Sequence, residues 1–227
     1  MYLYEMHQHT SGCSACAVVT PQEMVKAVKE SGFAGVVLTN HFYNGNSAVD
    51  RNLPWEDFCK RYQDEYLLAK EAGEKIGVDV FYGLEEGVGG GKEVLIYGIE
   101  PDLMAKHPEL ISGDISTISR VVRDAGGVIV QAHPFREKFY IPNPNELLPP
   151  QCLDGYEVYN KGNTKEENAK AVALAKQFGK FMTAGSDCHN DRSSGRFGIA
   201  CKNKIKTEKD LVQVLKNGDY ELIYNED

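Results

Sequence analysis

Residues 78–99 read Val-Asp-Val-Phe-Tyr-Gly-Leu-Glu-Glu-Gly-Val-Gly-Gly-Gly-Lys-Glu-Val-Leu-Ile-Tyr-Gly-Ile. The runs at 78–84 (VDVFYGL) and 93–99 (EVLIYGI) are β-branched and aromatic, as strands are. A parallel crossover needs a dozen or more residues. The stretch from Leu84 to Glu93 is shorter than that, so these two strands form an antiparallel hairpin through Gly87-Val88-Gly89-Gly90-Gly91. The start of the second strand then lies beside the end of the first, which brings Glu93 close to Glu85. No helix follows Gly89-Gly90-Gly91, so the tract reads as a turn and not as a phosphate loop.

On both sides of this hairpin the chain alternates strand and helix. Residues 2–7 (YLYEMH), 35–39 (GVVLT), 127–132 (GVIVQA), 154–159 and 180–184 (KFMTA) read as strands, and 220–224 as a last extended segment. Between them, helices are expected from Thr20 to about Ser31, and at 54–76, 114–125, 164–178 and 207–216. Thr20, Pro21 and Glu23 supply an N-cap, a first-turn proline and a capping box, and Gly32 stops that helix. Pro142, Pro144, Pro149 and Pro150 mark one long loop. Such alternation favours a parallel sheet or a β/α barrel, and 227 residues fit a single domain.

Composition narrows the function. A hydrophobic share of 42% with 26% charged residues is that of a soluble globular chain. The net charge of -8 gives no broad basic surface, so neither nucleic acid nor an anionic membrane is expected as partner. No run approaches the ~18 apolar residues of a membrane helix. The first residues read as a strand and not as a secretory leader. Six cysteines in a chain of this length do not make a disulfide scaffold, so they are expected reduced in the cytoplasm.

The chemistry gathers at the strand ends. His7 and His9 end the first strand, His41 follows the second, Glu85 ends the third, His133 follows the fifth, and Asp187 and His189 follow the seventh. In a β/α barrel the carboxyl ends of the strands share one face, and active sites lie there. Imidazole and carboxylate together suit zinc, manganese or iron. The two-residue strand period puts His7 and His9 on one side, and Asp187 and His189 likewise if the backbone there is extended. Glu157 and Asn160 end another strand and are candidates for the pocket wall. Glu86 reads as a solvated neighbour of Glu85, His107 as a surface residue, and Cys13 and Cys16 as two small buried thiols near the site. Arg136 suits bidentate phosphate binding, with Arg192 and Arg196 as possible helpers.

At His7-Gln8-His9, Leu38-Thr39-Asn40-His41, Gly83-Leu84-Glu85, Ala132-His133-Pro134 and Gly185-Ser186-Asp187-Cys188-His189 the sequence resembles the PHP (polymerase and histidinol phosphatase) family. The resemblance covers nearly the whole chain and implies a distorted seven-stranded β/α barrel, related to the TIM barrel, with two or three divalent ions. It implies that His7, His9, Glu85 and Asp187 hold one ion, that Glu85 and His133 share a second, and that His41 and His189 hold a third. Glu93 stands where the family commonly has a further histidine of the second site. Asn40 stands where the family often has aspartate, and residues 10–15 lack the usual aspartate or histidine of the third site. The implied activity is hydrolysis of a small phosphate monoester by a metal-activated hydroxide, with Asp187 or His189 handling the proton and Arg136 gripping the phosphate. The alternatives are a metal-dependent amidohydrolase and a metal-binding accessory module without turnover.

Overall fold

A computed structural model describes residues 1–190 and 196–224. The elements run β1 (Tyr2–Gln8), α1 (Pro21–Glu30), β2 (Gly35–Leu38), α2 (Trp55–Ile76), β3 (Asp79–Gly87), β4 (Glu93–Tyr97), α3 (Ile115–Asp124), β5 (Val128–Gln131), β6 (Gly155–Asn160), α4 (Lys165–Phe178), β7 (Phe181–Gly185), β8 (Gly198–Cys201), α5 (Glu208–Asn217) and β9 (Tyr220–Ile223). Short 3-10 turns cover Met104–Lys106, Pro108–Ser112 and Pro150–Cys152. Reciprocal capping boxes start α1, α4 and α5, at Thr20, Thr164 and Thr207.

The strands form one sheet in the order β7-β6-β5-β4-β3-β2-β1-β8-β9. The expected hairpin is present: β4 runs antiparallel to both β3 and β5, with Gly87 opposite Glu93. Gly89, Gly90 and Gly91 have φ of 88°, 60° and 70°, a left-handed run that only glycine sustains at low cost. The sheet nearly closes into a barrel where the end of β1 meets the segment after β7. There Asp187 N donates to His7 O (2.9 Å) and His9 N donates to Cys188 O (3.1 Å).

The strand count differs from the expected seven: among the described residues the sheet has nine. Strands β1–β7 follow chain order around the barrel. The extra pair arises because β1 divides its free edge, with Tyr2, Leu3 and Tyr4 pairing antiparallel to β8. Strand β8 (Gly-Ile-Ala-Cys) is too short and too plain in composition to stand out in sequence, and among the described residues β9 pairs only with it.

One core lies between the strands and the helices of the outer layer, and includes Val25, Phe58, Tyr62, Val122 and Leu174. A second fills the barrel with Tyr4, Met6, Val37, Phe81, Leu95 and Tyr97, and receives Leu211, Val212 and Leu215 of α5. Helix α5 thus caps the end from which the parallel strands start. The opposite end is left to polar side chains.

Irregular backbone aims those side chains. The register of β1 against β2 slips between Glu5 and Gln8, so Tyr4 and Met6 face the inner core and yet His7 and His9 turn inward after them. Glu5 Oε1 accepts from Met6 N (2.9 Å), His7 N (3.0 Å) and Ser186 N (2.9 Å), which satisfies the bulged amides and ties β1 to the end of β7. A second slip in β6, between Glu157 and Tyr159, turns both Glu157 and Asn160 toward the site. His133 and Asp187 have φ of 30° and 53°, conformations that non-glycine residues rarely hold.

Close approach of β7 to β1 requires glycine at 185. A Cβ there would lie 2.4 Å from His7 Cβ and 2.7 Å from Glu157 Oε1. Gly185→Ala is expected to destabilise the fold by about 1–3 kcal/mol through overpacking. Denaturant unfolding checks this, and an unchanged midpoint would contradict the packing described.

Candidate metal centre

Glu85 is completely buried at the middle of the polar end. Its Oε1 lies 3.3 Å from His7 Nε2 and 3.0 Å from His133 Nε2. Its Oε2 lies 3.4 Å from His9 Nε2 and 3.0 Å from His41 Nδ1. Asp187 Oδ1 approaches His9 Nε2 (3.2 Å) and His7 Nε2 (3.5 Å). Glu93 joins from the hairpin, at 3.4 Å from His41 Nδ1 and 3.6 Å from His133 Nε2. The structure therefore brings His7, His9, His41, Glu85, Glu93, His133, Asp187 and His189 into one constellation. Three groups within it have donor atoms close enough to share an ion: His7, His9, Glu85 and Asp187; His41, Glu85 and Glu93; and His9, His41 and His189.

Partners behind the rings fix which nitrogen faces the centre. Ser14 Oγ donates to Asn40 Oδ1 (3.0 Å), so it accepts from His9 Nδ1 (2.9 Å) and leaves Nε2 of His9 as a free lone pair. His7 Nδ1 donates to Glu157 Oε1 (2.9 Å). His189 Nδ1 donates to the carbonyl of Asp187 (2.8 Å), which leaves its Nε2 unprotonated in the neutral ring. Asn40, where the family often has aspartate, is a hub: its Oδ1 also accepts from Thr10 N (2.6 Å), and its Nδ2 donates to Thr10 Oγ1 (2.9 Å).

The donor set fits a cation. His7 Nε2 and His9 Nε2 are 3.0 Å apart, too close for two bare lone pairs. Glu85 Oε2, His41 Nδ1 and His189 Nε2 are buried without a hydrogen-bond partner. Protonation follows the same logic. Burial alone would lower the His7 imidazole, but the carboxylates of Glu157, Asp187 and Glu85 lift it well above its ordinary value. Burial, with His41 and His189 alongside, drops His9 to about 3. Burial opposes ionisation of Glu85, yet His7, His41 and the hydrogen bond from His133 hold it well below the usual carboxylate range. Asp187 is likewise buried, and His7 and Arg136 hold it low. In the metal-free protein a proton on His7 thus occupies the place of positive charge.

His41, Glu85, Glu93, His133, Asp187 and His189 line a cavity of about 580 Å³, a size suited to a small molecule, and His7 and His9 lie beneath that lining, against Glu85 and Asp187. Arg136 lines it too, but its guanidinium is tied down: Nη1 to Asp187 Oδ2 (2.7 Å), Nη2 to Asn160 Oδ1 (2.6 Å) and Nε to Asn163 Oδ1 (3.0 Å). Glu157 and Asn160 stand behind the lining, with Glu157 Oε2 accepting from His133 N (3.0 Å) and from Asn160 Nδ2 (2.9 Å).

Several sequence expectations are corrected. Glu86 is not solvated: it is buried and accepts from Asn44 N and Nδ2, and burial raises it to about 8. Arg196 is exposed, with its Nη2 near Gly32 at the starting end of the strands, away from the site. Arg192 lies outside the described residues. His107 is a partly exposed residue paired with Glu109, as expected of a surface position. Cys13 is buried, but Cys16 is exposed and lines the cavity. Burial pushes the Cys16 thiol up, but the neighbouring imidazoles of His189 and His41 outweigh this and bring it down to about 6. Lys92 was not foreseen. It is buried on the cavity wall and donates to the carbonyls of Pro134 (3.2 Å) and Pro144 (2.8 Å). Its position beside Glu93 was the available signal; its burial depends on the later proline loop.

Residues 165–220 match the family model PHP_C, described as PHP-associated. No curated protein matches the sequence significantly. The fold is shared with a two-domain protein from Bacteroides vulgatus containing a predicted PHP-like metal-dependent phosphoesterase. The TM-score is 0.73 at 16% identity, over 99% of this chain. The present chain spans only 65% of that protein's length. It is shared also with an amidohydrolase from Chromobacterium violaceum, solved with bound sulfate and no metal (TM-score 0.60, 14% identity, 96% of this chain and 97% of that one). A third structure of the same fold is endonuclease Q in complex with a 27-mer duplex bearing an abasic lesion. Its TM-score is 0.57 at 11% identity, over 96% of this chain and 57% of that one.

A cation entering beside His7 must displace its proton. Zinc added to metal-free protein in weak buffer near neutral pH is expected to release about one proton or more per chain. Because the imidazolium form competes better in acid, affinity should weaken as the pH falls. Calorimetry in buffers of different ionisation enthalpy measures both, and uptake with no proton release would contradict the protonation pattern.

Proposed function

We propose that this chain, whose matched segment and fold support the PHP family, is a metal-dependent phosphoesterase that hydrolyses a small phosphate monoester. The supporting observation is the convergence of three candidate ligand groups with two cationic side chains, Arg136 and Lys92, on one cavity. His7, His9, Glu85 and Asp187 would hold one divalent ion, and Glu85, Glu93 and His133, with His41 at their border, a second. His41 and His189 would contribute to a third. Mixed imidazole and carboxylate donors suit zinc, manganese or iron. Bound there, such ions supply a hydroxide near neutral pH and neutralise the phosphoryl oxygens.

The chain's own residues do the remaining work. Glu85 faces two ligand groups at once and sets their separation. Each terminal nitrogen of Arg136 keeps a second N–H beyond its bond to Asp187 or Asn160, and those hydrogens are available to phosphate oxygens. Lys92 donates to two carbonyls and retains a third hydrogen. His189 Nε2, whose tautomer the Asp187 carbonyl fixes, accepts or returns a proton at the cavity wall.

A carbonyl substrate is the second reading, supported by the fold shared with an amidohydrolase. A nucleic acid substrate has a precedent in the same fold, in the endonuclease bound to DNA. The net charge of -8 supports the small substrate here.

Turnover of a generic aryl phosphate is expected with manganese or zinc, lost on chelation and restored by metal. Hydrolysis of amides but not of any phosphate ester by metal-replete protein would replace this reading with the carbonyl one. Arg136→Lys keeps the charge but loses the fork that orients Asp187, and should lower kcat/KM by about 10–100-fold. Unchanged kinetics would remove Arg136 from the site's machinery.

A further inference from the structure

Cys16 sits in the loop between β1 and α1 and lines the cavity wall together with His41 and His189. Two backbone contacts clamp its position. Ala15 N donates to Asn46 O (2.9 Å) on one side, and Val18 N donates to His189 O (2.9 Å) on the other. No other cysteine lines this cavity among the described residues. Cys13, Cys59, Cys152 and Cys201 are buried among core side chains, and Cys188 Sγ is directed to Asn190 O (3.0 Å).

The two histidines beside Cys16 offer nitrogens that make no hydrogen bond, His41 Nδ1 also facing Glu85 Oε2 at 3.0 Å. His41 is only 7% exposed, and its Nδ1 has no hydrogen-bond partner. His189 Nε2 is buried and also unpartnered. His9, His41 and His189 place ring nitrogens within 4.8 Å of one another, but His9 Nε2 is drawn toward Asp187 (3.2 Å) and Glu85 (3.4 Å). His41 and His189 are thus left one donor short of a three-ligand site.

We infer that Cys16 supplies that donor, as a thiolate ligand completing a metal site with His41 and His189. On binding, the thiol proton passes to solvent and the sulfur lone pair goes to the metal. Two imidazoles and one thiolate leave the fourth tetrahedral position open toward the cavity. The soft sulfur directs zinc or ferrous iron to this group and disfavours manganese, whereas the Glu85–Glu93 group, with its two carboxylates, accepts the harder ion. The inference rests on the metal-centre reading above but not on the choice of substrate.

Cobalt(II) reports on it without turnover. Protein reconstituted with cobalt should show a near-ultraviolet thiolate-to-cobalt charge-transfer band. Cys16→Ser should lose that band, and Cys188→Ser should keep it. Zinc affinity of one site should fall by more than about ten-fold in Cys16→Ser. Cys16→His, which restores a nitrogen donor, should recover zinc binding while the band stays absent. A wild-type spectrum without the band despite bound cobalt, or a band that survives in Cys16→Ser, would overturn the assignment. Failure to bind any cobalt would overturn the metal centre as well. A missing phosphatase activity with the band intact would touch only the substrate reading.

Discussion

A carboxylate enclosed by four imidazoles is the contact on which the rest of this structure is arranged. Glu85 has no exposure to water, and each of its oxygens faces two histidine rings. An ionised group in such a place is costly unless positive charge and hydrogen bonds surround it. The rings supply this only when something between them carries charge, whether a proton on His7 or a metal ion. Stability of this end of the barrel and occupancy of the centre are therefore linked.

Backbone irregularity is the means by which the ligands reach the centre. Two bulges and two left-handed residues, His133 and Asp187, occur where strands end and the donors begin. Each costs energy of the order of 1–3 kcal/mol where φ is left-handed, and such strain persists only where surrounding contacts fix it. Glu5 on the bulged amides of β1 and Glu157 on His133 N are those contacts. The far end of the barrel, packed on α5, carries the apolar interior that pays for this arrangement.

What could be read from sequence follows from range. Hairpin geometry is local, so the Leu84–Glu93 connection sufficed to return Glu93 to the neighbourhood of Glu85. Histidines at strand ends were legible because strand period and barrel topology act over a few residues. Strand β8 was missed because its pairing with β1 joins residues almost 200 positions apart, and its four residues carry no pattern of their own. Glu86 looked solvated beside Glu85, whereas Asn44 and the loop around it bury the carboxylate. Arg136 was expected to face substrate alone, and its bonds to Asp187, Asn160 and Asn163 depend on a bulge in β6 that no local motif announces. Cys16 was paired in the reading with Cys13 by spacing alone, although the two point to different environments.

The most direct test of the account is anomalous diffraction from crystals of this chain grown with zinc. The account predicts a strong peak enclosed by His7 Nε2, His9 Nε2 and the carboxylates of Glu85 and Asp187, at the roughly 2.0–2.2 Å typical of zinc with nitrogen and oxygen ligands. Peaks confined to surface residues such as His107, with no anomalous density beside Glu85, would contradict it.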